Sequence, residues 1–274
     1  MVVVEVRDLW VRYVGSDWVL RGISLKLCSG RVYLLLGPNG CGKTTLLRVL
    51  CGFIPHLYPG EVRGEVTVLG KCPSTEGPSA LSGAVAYLSE DPTLSIVAPT
   101  VGDELILSNA LEASDIASKL NIESFFTDNV SHLSSGTRVK VAIASSAIQG
   151  AKIILLDEPF STLDVESRIT VARLLKELAH EYGICIVIAE HRLDELASFV
   201  DEVIVLCRGS IVARGTLPEV LSRSEVHDIL GRYSEYLELV YRLYTAGLLP
   251  EYLINVEAVR DAISKFVKRP IDRA

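Results

Sequence analysis

Apolar and polar residues alternate along Val2–Val6 and Ile23–Leu27, the spacing of strands with one face buried. Val32–Leu36 differs in being apolar at every position, as do Ile153–Leu156, Ile184–Ala189 and Val203–Leu206. Strands carry such runs when both faces are covered, the usual condition of a parallel sheet flanked by helices. Helical spacing over Val165–Tyr182, between two of the runs, supports that arrangement. From about Pro92 to Gln149 the periodicity is helical, over Asp103–Ala113, Ser114–Leu120 and Ser134–Ala147, and predicts a mostly helical insert. After about Leu221 strand signals cease, and Glu225–Ala274 reads as short helices broken near Gly247 and Pro250. The expected fold is therefore α/β. A mainly parallel sheet core spans 1–89 and 150–222 with antiparallel N-terminal strands, a helical subdomain fills 90–149, and a small helical extension covers 223–274.

With 274 residues, 49% of them apolar, the chain can fill a core without disulfide or metal staples. Its net charge of -7 gives no global attraction to nucleic acid or anionic lipid. No nucleic-acid partner is expected, and an anionic ligand must be held by a local site. Cys28, Cys41, Cys51, Cys72, Cys185 and Cys207 form no CxxC pair and have no interleaved histidine, so they read as free thiols in a reducing compartment. No stretch reaches the ~18 uncharged apolar residues of a membrane span, and the N-terminus lacks a basic leader, so any membrane role is expected to be peripheral.

The local anion site follows the first buried run. Gly37-Pro38-Asn39-Gly40-Cys41-Gly42-Lys43-Thr44-Thr45 leads from Val32–Leu36 into helical spacing at Leu46–Leu50, which is GxxxxGK[ST] in its strand-loop-helix setting. Its glycines let backbone N–H groups curl around phosphate oxygens, and the helix N-terminus adds its dipole. Lys43 is expected on the β and γ phosphates, and Thr44 on Mg²⁺. Cys41 reads as a small filler. The run Ile153–Leu156 ends in Asp157 and Glu158, at the carboxyl edge where a parallel sheet presents ligands. Asp157 is expected in the Mg²⁺ shell, and Glu158 as the group that orients or deprotonates the attacking water. Loop and acidic strand together predict a P-loop NTPase of RecA-like fold.

Leu133-Ser134-Ser135-Gly136-Thr137, just before a helix, offers Ser134 and the N–H groups of that helix as a second phosphate-binding end. A serine N-cap on an ordinary helix has the same appearance, and the two roles are compatible. The segment resembles the signature motif of ABC ATPases. That resemblance implies a dimer in which ATP lies between one chain's P-loop and the Ser134, Ser135 and Gly136 of the other. Ser161-Thr162-Leu163-Asp164 resembles the family's D-loop, which crosses the dimer interface and brings Asp164 to the nucleotide. His191, in Ala189-Glu190-His191-Arg192-Leu193, matches the switch histidine that contacts γ-phosphate. Tyr13 stands where the family stacks an aromatic on adenine, with Trp18 as competitor for that role.

Two departures stand out. Glu90 replaces the family's usual glutamine; a carboxylate binds a metal ion more strongly than an amide but donates no hydrogen bond. The signature carries Ser135 for a usual glycine and Thr137 for a usual glutamine. Glutamine occurs once in the chain, at Gln149, so both losses fit a bias of composition. The stretches Gly52–His56, Pro59–Val66, Glu90–Leu105, Ala189–Leu193 and Ala246–Pro250 are similar to those of energy-coupling factor importer ATPases. Those importers take up vitamins and transition metal ions, and pair two ATPases with an integral membrane scaffold, docked near the glutamine-loop groove, and a substrate-capture membrane subunit. The resemblance implies a homo- or heterodimer at the cytoplasmic face of the membrane. An exporter ATPase and a soluble ABC ATPase of repair or translation are the alternatives. The tail's Leu237, Leu239, Val240, Leu243, Leu248 and Leu249 need either the core or a partner to cover them.

Overall fold

The computed structural model describes residues 1–106, 116–119, 122–191, 196–230, 239–240, 242–244, 247, 260 and 264. Among these, nine strands form two sheets. In the smaller, β1 (Val2–Tyr13) lies antiparallel between β2 (Leu20–Cys28) and β4 (Gly60–Val68). The larger has the order β5 (Val85–Leu88), β6 (Ile153–Asp157), β7 (Cys185–Glu190), β3 (Arg31–Leu36), β8 (Glu202–Cys207), β9 (Ser210–Gly215). It is parallel from β5 to β8, with β9 antiparallel at one edge. The parallel core and the antiparallel N-terminal strands are those expected from the sequence. The described helices include α1 (Lys43–Leu50), α2 (Phe53–His56), α3 (Pro73–Glu76), α4 (Val101–Ile106), α5 (Ser135–Ile148), α6 (Val165–Tyr182), α7 (Leu217–Leu221) and α8 (Ser224–Leu230).

The continuous apolar runs have a direct explanation in the burial of the large sheet. Val32, Leu34, Leu36, Ile154, Leu156, Ile186, Ile188, Val203 and Val205 face one core, shared with α5 and α6. Their neighbours Tyr33, Leu35, Ile153, Leu155, Cys185, Val187, Ile204 and Leu206 face a second core, shared with α1 and the small sheet. With no solvated face, alternation has no reason to appear. α6 contributes Val171, Leu174, Leu175 and Leu178, one helical stripe; Asp164 caps its start, and Gly183 ends it in a left-handed conformation.

Periodicity alone does not reveal β4, β5 or β9. β5 is four residues long and lies at an edge, and β9 buries only Ala213 fully. Its hairpin with β8 turns on Arg208 and Gly209, both at positive φ, as a two-residue turn matched to strand twist requires. Of the helical insert, α4 covers the start of the predicted Asp103–Ala113 helix; residues 107–115 and 120–121 lie outside the described residues. α5 occupies the predicted Ser134–Ala147 segment to within a residue, with Ser134 as its N-cap. In the tail, Val240 is buried against the α5–α6 core and Leu243 packs on it, whereas Leu239 is exposed. Gly247 is left-handed, and Leu237, Leu248, Leu249 and Pro250 lie outside the described residues.

The strand register fixes what the sheet presents at its carboxyl edge. Leu36 of β3 is opposite Glu190 of β7, and Asp157 of β6 is opposite Ala189. The loops after β3, β6 and β7 therefore leave one edge side by side. Leu34, on the central strand and fully buried, should be intolerant of truncation. Leu34→Ala is expected to cost about 2–5 kcal/mol in urea unfolding. Leu57→Ala, at an exposed site, should stay within about 0.5 kcal/mol.

Candidate functional site

The loop between β3 and α1 is packed so closely that side chains would not fit at two of its glycines. A Cβ on Gly37 would fall 2.1 Å from the carbonyl oxygen of Leu206, and one on Gly42 would fall 2.6 Å from Leu20 Cδ2. Gly42 also has φ 111, and it is the N-cap from which α1 starts. Asn39 and Gly40 form the exposed crest, while Cys41 is buried inside the loop with its thiol pushed up, chiefly by burial. That environment suits the filler reading. Lys43 is buried, and its Nζ donates to Gly37 O at 2.7 Å and Pro38 O at 3.4 Å, leaving the third ammonium hydrogen for a ligand.

Asp157, at the end of β6, faces this loop. Thr44 Oγ1 donates to Asp157 Oδ1 at 3.0 Å, and Tyr87 OH donates to Asp157 Oδ2 at 2.9 Å. Burial and then the nearby carboxylate push the Tyr87 phenol well above its ordinary range, so it remains a donor. A hydroxyl and a carboxylate oriented by a third group match the hard oxygen donors that Mg²⁺ takes alongside water and phosphate. Among the described residues, no group of three or more His, Cys, Asp and Glu could hold a metal ion by itself. Glu90, past the end of β5, is exposed and makes no hydrogen bond to Thr44 or Asp157.

Glu158 has φ 52, a left-handed conformation that costs a non-glycine residue about 1–3 kcal/mol. Its N–H donates to Ala189 O at 2.9 Å, holding the turn against β7. His191 Nδ1 lies 3.8 Å from Glu158 Oε2 and 3.7 Å from Glu190 Oε2; it is buried and has no hydrogen-bond partner among the described residues. Glu190 is buried, accepts N–H groups from Phe160 and His191, and has its carboxyl pushed up to about 7. Burial is the main cause; the two backbone donors and Arg168 oppose it, and the Glu158 charge adds to it. Residues 192–195, which continue the motif read around His191, lie outside the described residues.

Tyr13 ends β1 and is tied to α1: its hydroxyl is 3.2 Å from Thr45 Oγ1, and Arg48 Nη1 donates to it at 3.4 Å. It lines an open cavity of about 650 Å³ with Arg12, Ser16, Asp17 and Glu61. Trp18 is otherwise engaged, 5.8 Å from Trp10 edge to face and under the guanidinium groups of Arg12 and Arg63, each 4.8 Å from the ring centroid. Of Tyr13 and Trp18, Tyr13 is the one with side-chain contacts to the phosphate loop's helix.

Ser134 caps α5, accepting from Thr137 N at 3.1 Å and lying 2.8 Å from Thr137 Oγ1. Ser135 Oγ donates to Thr162 O at 3.2 Å, a tie between the Ser134–Thr137 and Ser161–Asp164 segments that glycine could not make. Gly136 is buried against Ser167 of α6. Asp164 caps α6 through Ser167 N and Oγ at 2.8 and 3.0 Å, and these bonds, the backbone one first, hold its carboxyl below the usual range. Two helix N-termini therefore start side by side, and no hydrogen bond joins either to the Lys43 loop among the described residues.

The family model for ABC transporters matches residues 20–161, from β2 through the signature segment to just beyond Asp157. This chain belongs to the ABC transporter ATP-binding family. An ABC transporter ATP-binding protein of Pyrococcus horikoshii, PH1815, is 31% identical over 278 residues, covering 96% of this chain and 97% of that protein. One of Methanosarcina mazei is 32% identical over 253 residues; this chain spans only 44% of its length. The structure is similar to that of cbiO1 from Clostridium perfringens, described as part of the ABC transporter complex cbiONQ. That likeness has a TM-score of 0.72 and 26% identity, and covers 83% of this chain and 93% of cbiO1.

Within the ABC site, Tyr87, Arg48 and Glu190 have no role in the sequence reading. Glu190 had a usable signal, since it ends a buried parallel strand as Asp157 does; Tyr87 and Arg48 declare themselves only through contacts with distant residues. The raised Glu190 carboxyl has a consequence for stability. The folded state holds this proton more tightly than the unfolded chain, so its contribution is complete below the ordinary value of 4.5 and is lost as pH rises through about 7. Wild type should therefore lose stability relative to Glu190→Gln between about pH 4.5 and 8, measured by urea unfolding at several pH values.

Proposed function

We propose that this chain is the ATP-hydrolysing motor subunit of an energy-coupling factor importer for a vitamin or a transition metal ion. In this reading it works as a nucleotide-sandwich dimer, docked at the cytoplasmic face of the membrane on scaffold and substrate-capture subunits. The reading rests on one observation: a single sheet edge carries the Lys43 loop, the Thr44–Asp157 pair and the Glu158–His191 pair, at 3.0 and 3.8 Å.

Each group then has a task. The ammonium of Lys43 and the N–H groups of Gly40, Cys41, Gly42, Thr44 and Thr45 neutralise and orient the β and γ phosphates, with Gly37, Pro38 and Asn39 shaping the loop. Tyr13 offers its ring to adenine. Thr44 and Asp157 would hold Mg²⁺, and Glu90, exposed beyond β5, would have to turn inward to join them; the ion offsets phosphate charge when bound. Glu158 aligns a water with the γ-phosphorus and takes its proton as the new P–O bond forms and the bond to the leaving ADP oxygen breaks. His191 contacts the γ-phosphate and holds Glu158 in line. Ser134 reaches the γ-phosphate of the opposite protomer, with Ser135 and Gly136 lining that approach and Asp164 crossing the interface. Ser134 Oγ and Thr137 Oγ1 are 2.8 Å apart; with Thr137 as the donor, the Ser134 hydroxyl hydrogen is free for that phosphate, and the motif can work without the family's glutamine.

The importer assignment draws support from the likeness to cbiO1 and from the surface after β5. Leu94 and Val97 are 78% and 89% exposed, and buried Glu104 pins this segment by accepting the N–H groups of Val97 and Ala98. Among the described residues no helix is long and apolar enough to cross a membrane, which fits a subunit that acts through membrane partners.

Glu158→Gln is expected to lower ATP turnover by ~10²-fold or more and to trap an ATP-bound dimer in size-exclusion chromatography. Full turnover, or no dimer with ATP, would count against the mechanism. Ser134→Ala should weaken dimeric turnover without abolishing nucleotide binding to the monomer, and unchanged dimeric activity would remove Ser134 from the site. Affinity purification should recover integral membrane subunits, and their identity separates importer from exporter.

A further inference from the structure

The sheet edge carries a buried carboxylate for which the proposed hydrolysis has no use. Glu190 is only 3% exposed, at the end of β7. Its two oxygens are divided between two loops. Oε1 accepts the N–H of Phe160, two residues beyond Glu158, at 3.2 Å, and Oε2 accepts the N–H of His191 at 3.3 Å. A second bond, from Glu158 N–H to Ala189 O at 2.9 Å, runs between the same segments. The turn carrying Glu158 is thus fastened to the strand end carrying His191 at two points, one at the strained residue itself and one two residues beyond it.

We propose that Glu190 is a positioning residue that sets the separation of Glu158 and His191 by bridging the backbones of the two loops that carry them. The inference rests on the hydrolytic reading above and adds to it the group that holds its two reacting side chains in register. Cost favours this role over packing. A carboxyl group here gives up its hydration and stands near another carboxylate, Glu158, with the His191 ring and the Arg168 guanidinium as the other charged or titratable groups acting on it. A neutral side chain of the same size would avoid that penalty. A carboxylate presents one oxygen to each of the two N–H groups, where an amide in the same place would turn a donor toward one of them. Near-attack geometry is sensitive to displacements of about 1 Å, so a clamp between these loops acts on the chemical step and leaves ground-state binding, which lies with the Lys43 loop and Tyr13, largely alone.

The test compares ATP hydrolysis by wild type, Glu190→Gln, Glu190→Ala and Glu158→Gln, using the full chain with any partner subunit that wild-type turnover requires. Gln keeps the volume but can accept only one of the two N–H groups; Ala accepts neither. The expected result is a fall in kcat of about 10-fold for Gln and about 100-fold for Ala, with KM for ATP within about threefold of wild type. Retention of kcat within about twofold by Glu190→Gln would overturn the proposal, as would a loss expressed mainly in KM. If Glu190→Ala does not fold, judged by its thermal transition, Glu190→Gln decides. Failure of the function reading looks different: wild type itself would not turn over ATP, or Glu158→Gln would remain active. Wild-type turnover with inactive Glu158→Gln and fully active Glu190→Gln would reject the clamp alone.

Discussion

Everything at this site depends on the backbone ladder joining β6, β7 and β3. Parallel pairing places Asp157 opposite Ala189, and Leu36 opposite Glu190. Three segments far apart in the chain therefore leave the sheet at one level and on one side. The phosphate loop, the acidic strand end and the histidine turn are each ordinary short segments. Their chemistry arises because hydrogen bonds between strands fix their spacing, and because two buried cores, one on each face, hold the strands in that register. A slip of one residue in β7 would exchange the two cores' side chains, which gives the whole apolar pattern a stake in the geometry of the site.

The polar groups inside this frame follow one rule, that a buried charge must have partners. Lys43 is received by carbonyl oxygens of its own loop, Asp157 by two hydroxyls, Glu190 by two backbone N–H groups, and Glu104 by two backbone N–H groups and Ser145 Oγ. Among the described residues Arg48 Nε and His191 Nδ1 are exceptions, and His191 Nδ1 is buried between two carboxylates at distances too long for a hydrogen bond. The strained Glu158 backbone stands at the same place. Strain in one loop and an unsatisfied nitrogen in the loop beside it mark where the fold has given up stability, and these are the loops that the hydrolytic reading uses.

The end that the proposed function gives to a second anion is built on another principle. α5 and α6 begin side by side, tied by Ser135 Oγ to Thr162 O and by the contact of Gly136 with Ser167. Each is capped by its own side chain, Ser134 or Asp164. Their N-termini carry partial positive charge, and a negative ligand there would be favoured. A sandwich dimer would bring such a ligand from the second protomer, so the sequence departure at Ser135 serves as a brace inside one protomer.

The sequence by itself determined the sheet's buried strands, α1, α5 and α6, and the nucleotide loop, because each is written in neighbouring residues: continuous apolar runs, helical stripes, or a glycine pattern followed by Lys43 and Thr44. It also marked Asp157, Glu158, Ser134 and His191, whose positions at strand or helix ends are local facts. The tertiary structure alone decided the rest. The edge strands β4, β5 and β9 carry little burial and so little pattern. The differing surroundings of Tyr13 and Trp18, a hydroxyl contact with Thr45 for one and arginines stacked on the indole of the other, also show only in the tertiary structure. The support that Tyr87 gives Asp157, and Glu190 gives two loops at once, spans residues distant in the chain. A hydrogen bond between such residues leaves no periodicity in either segment; it exists only once the strands have paired.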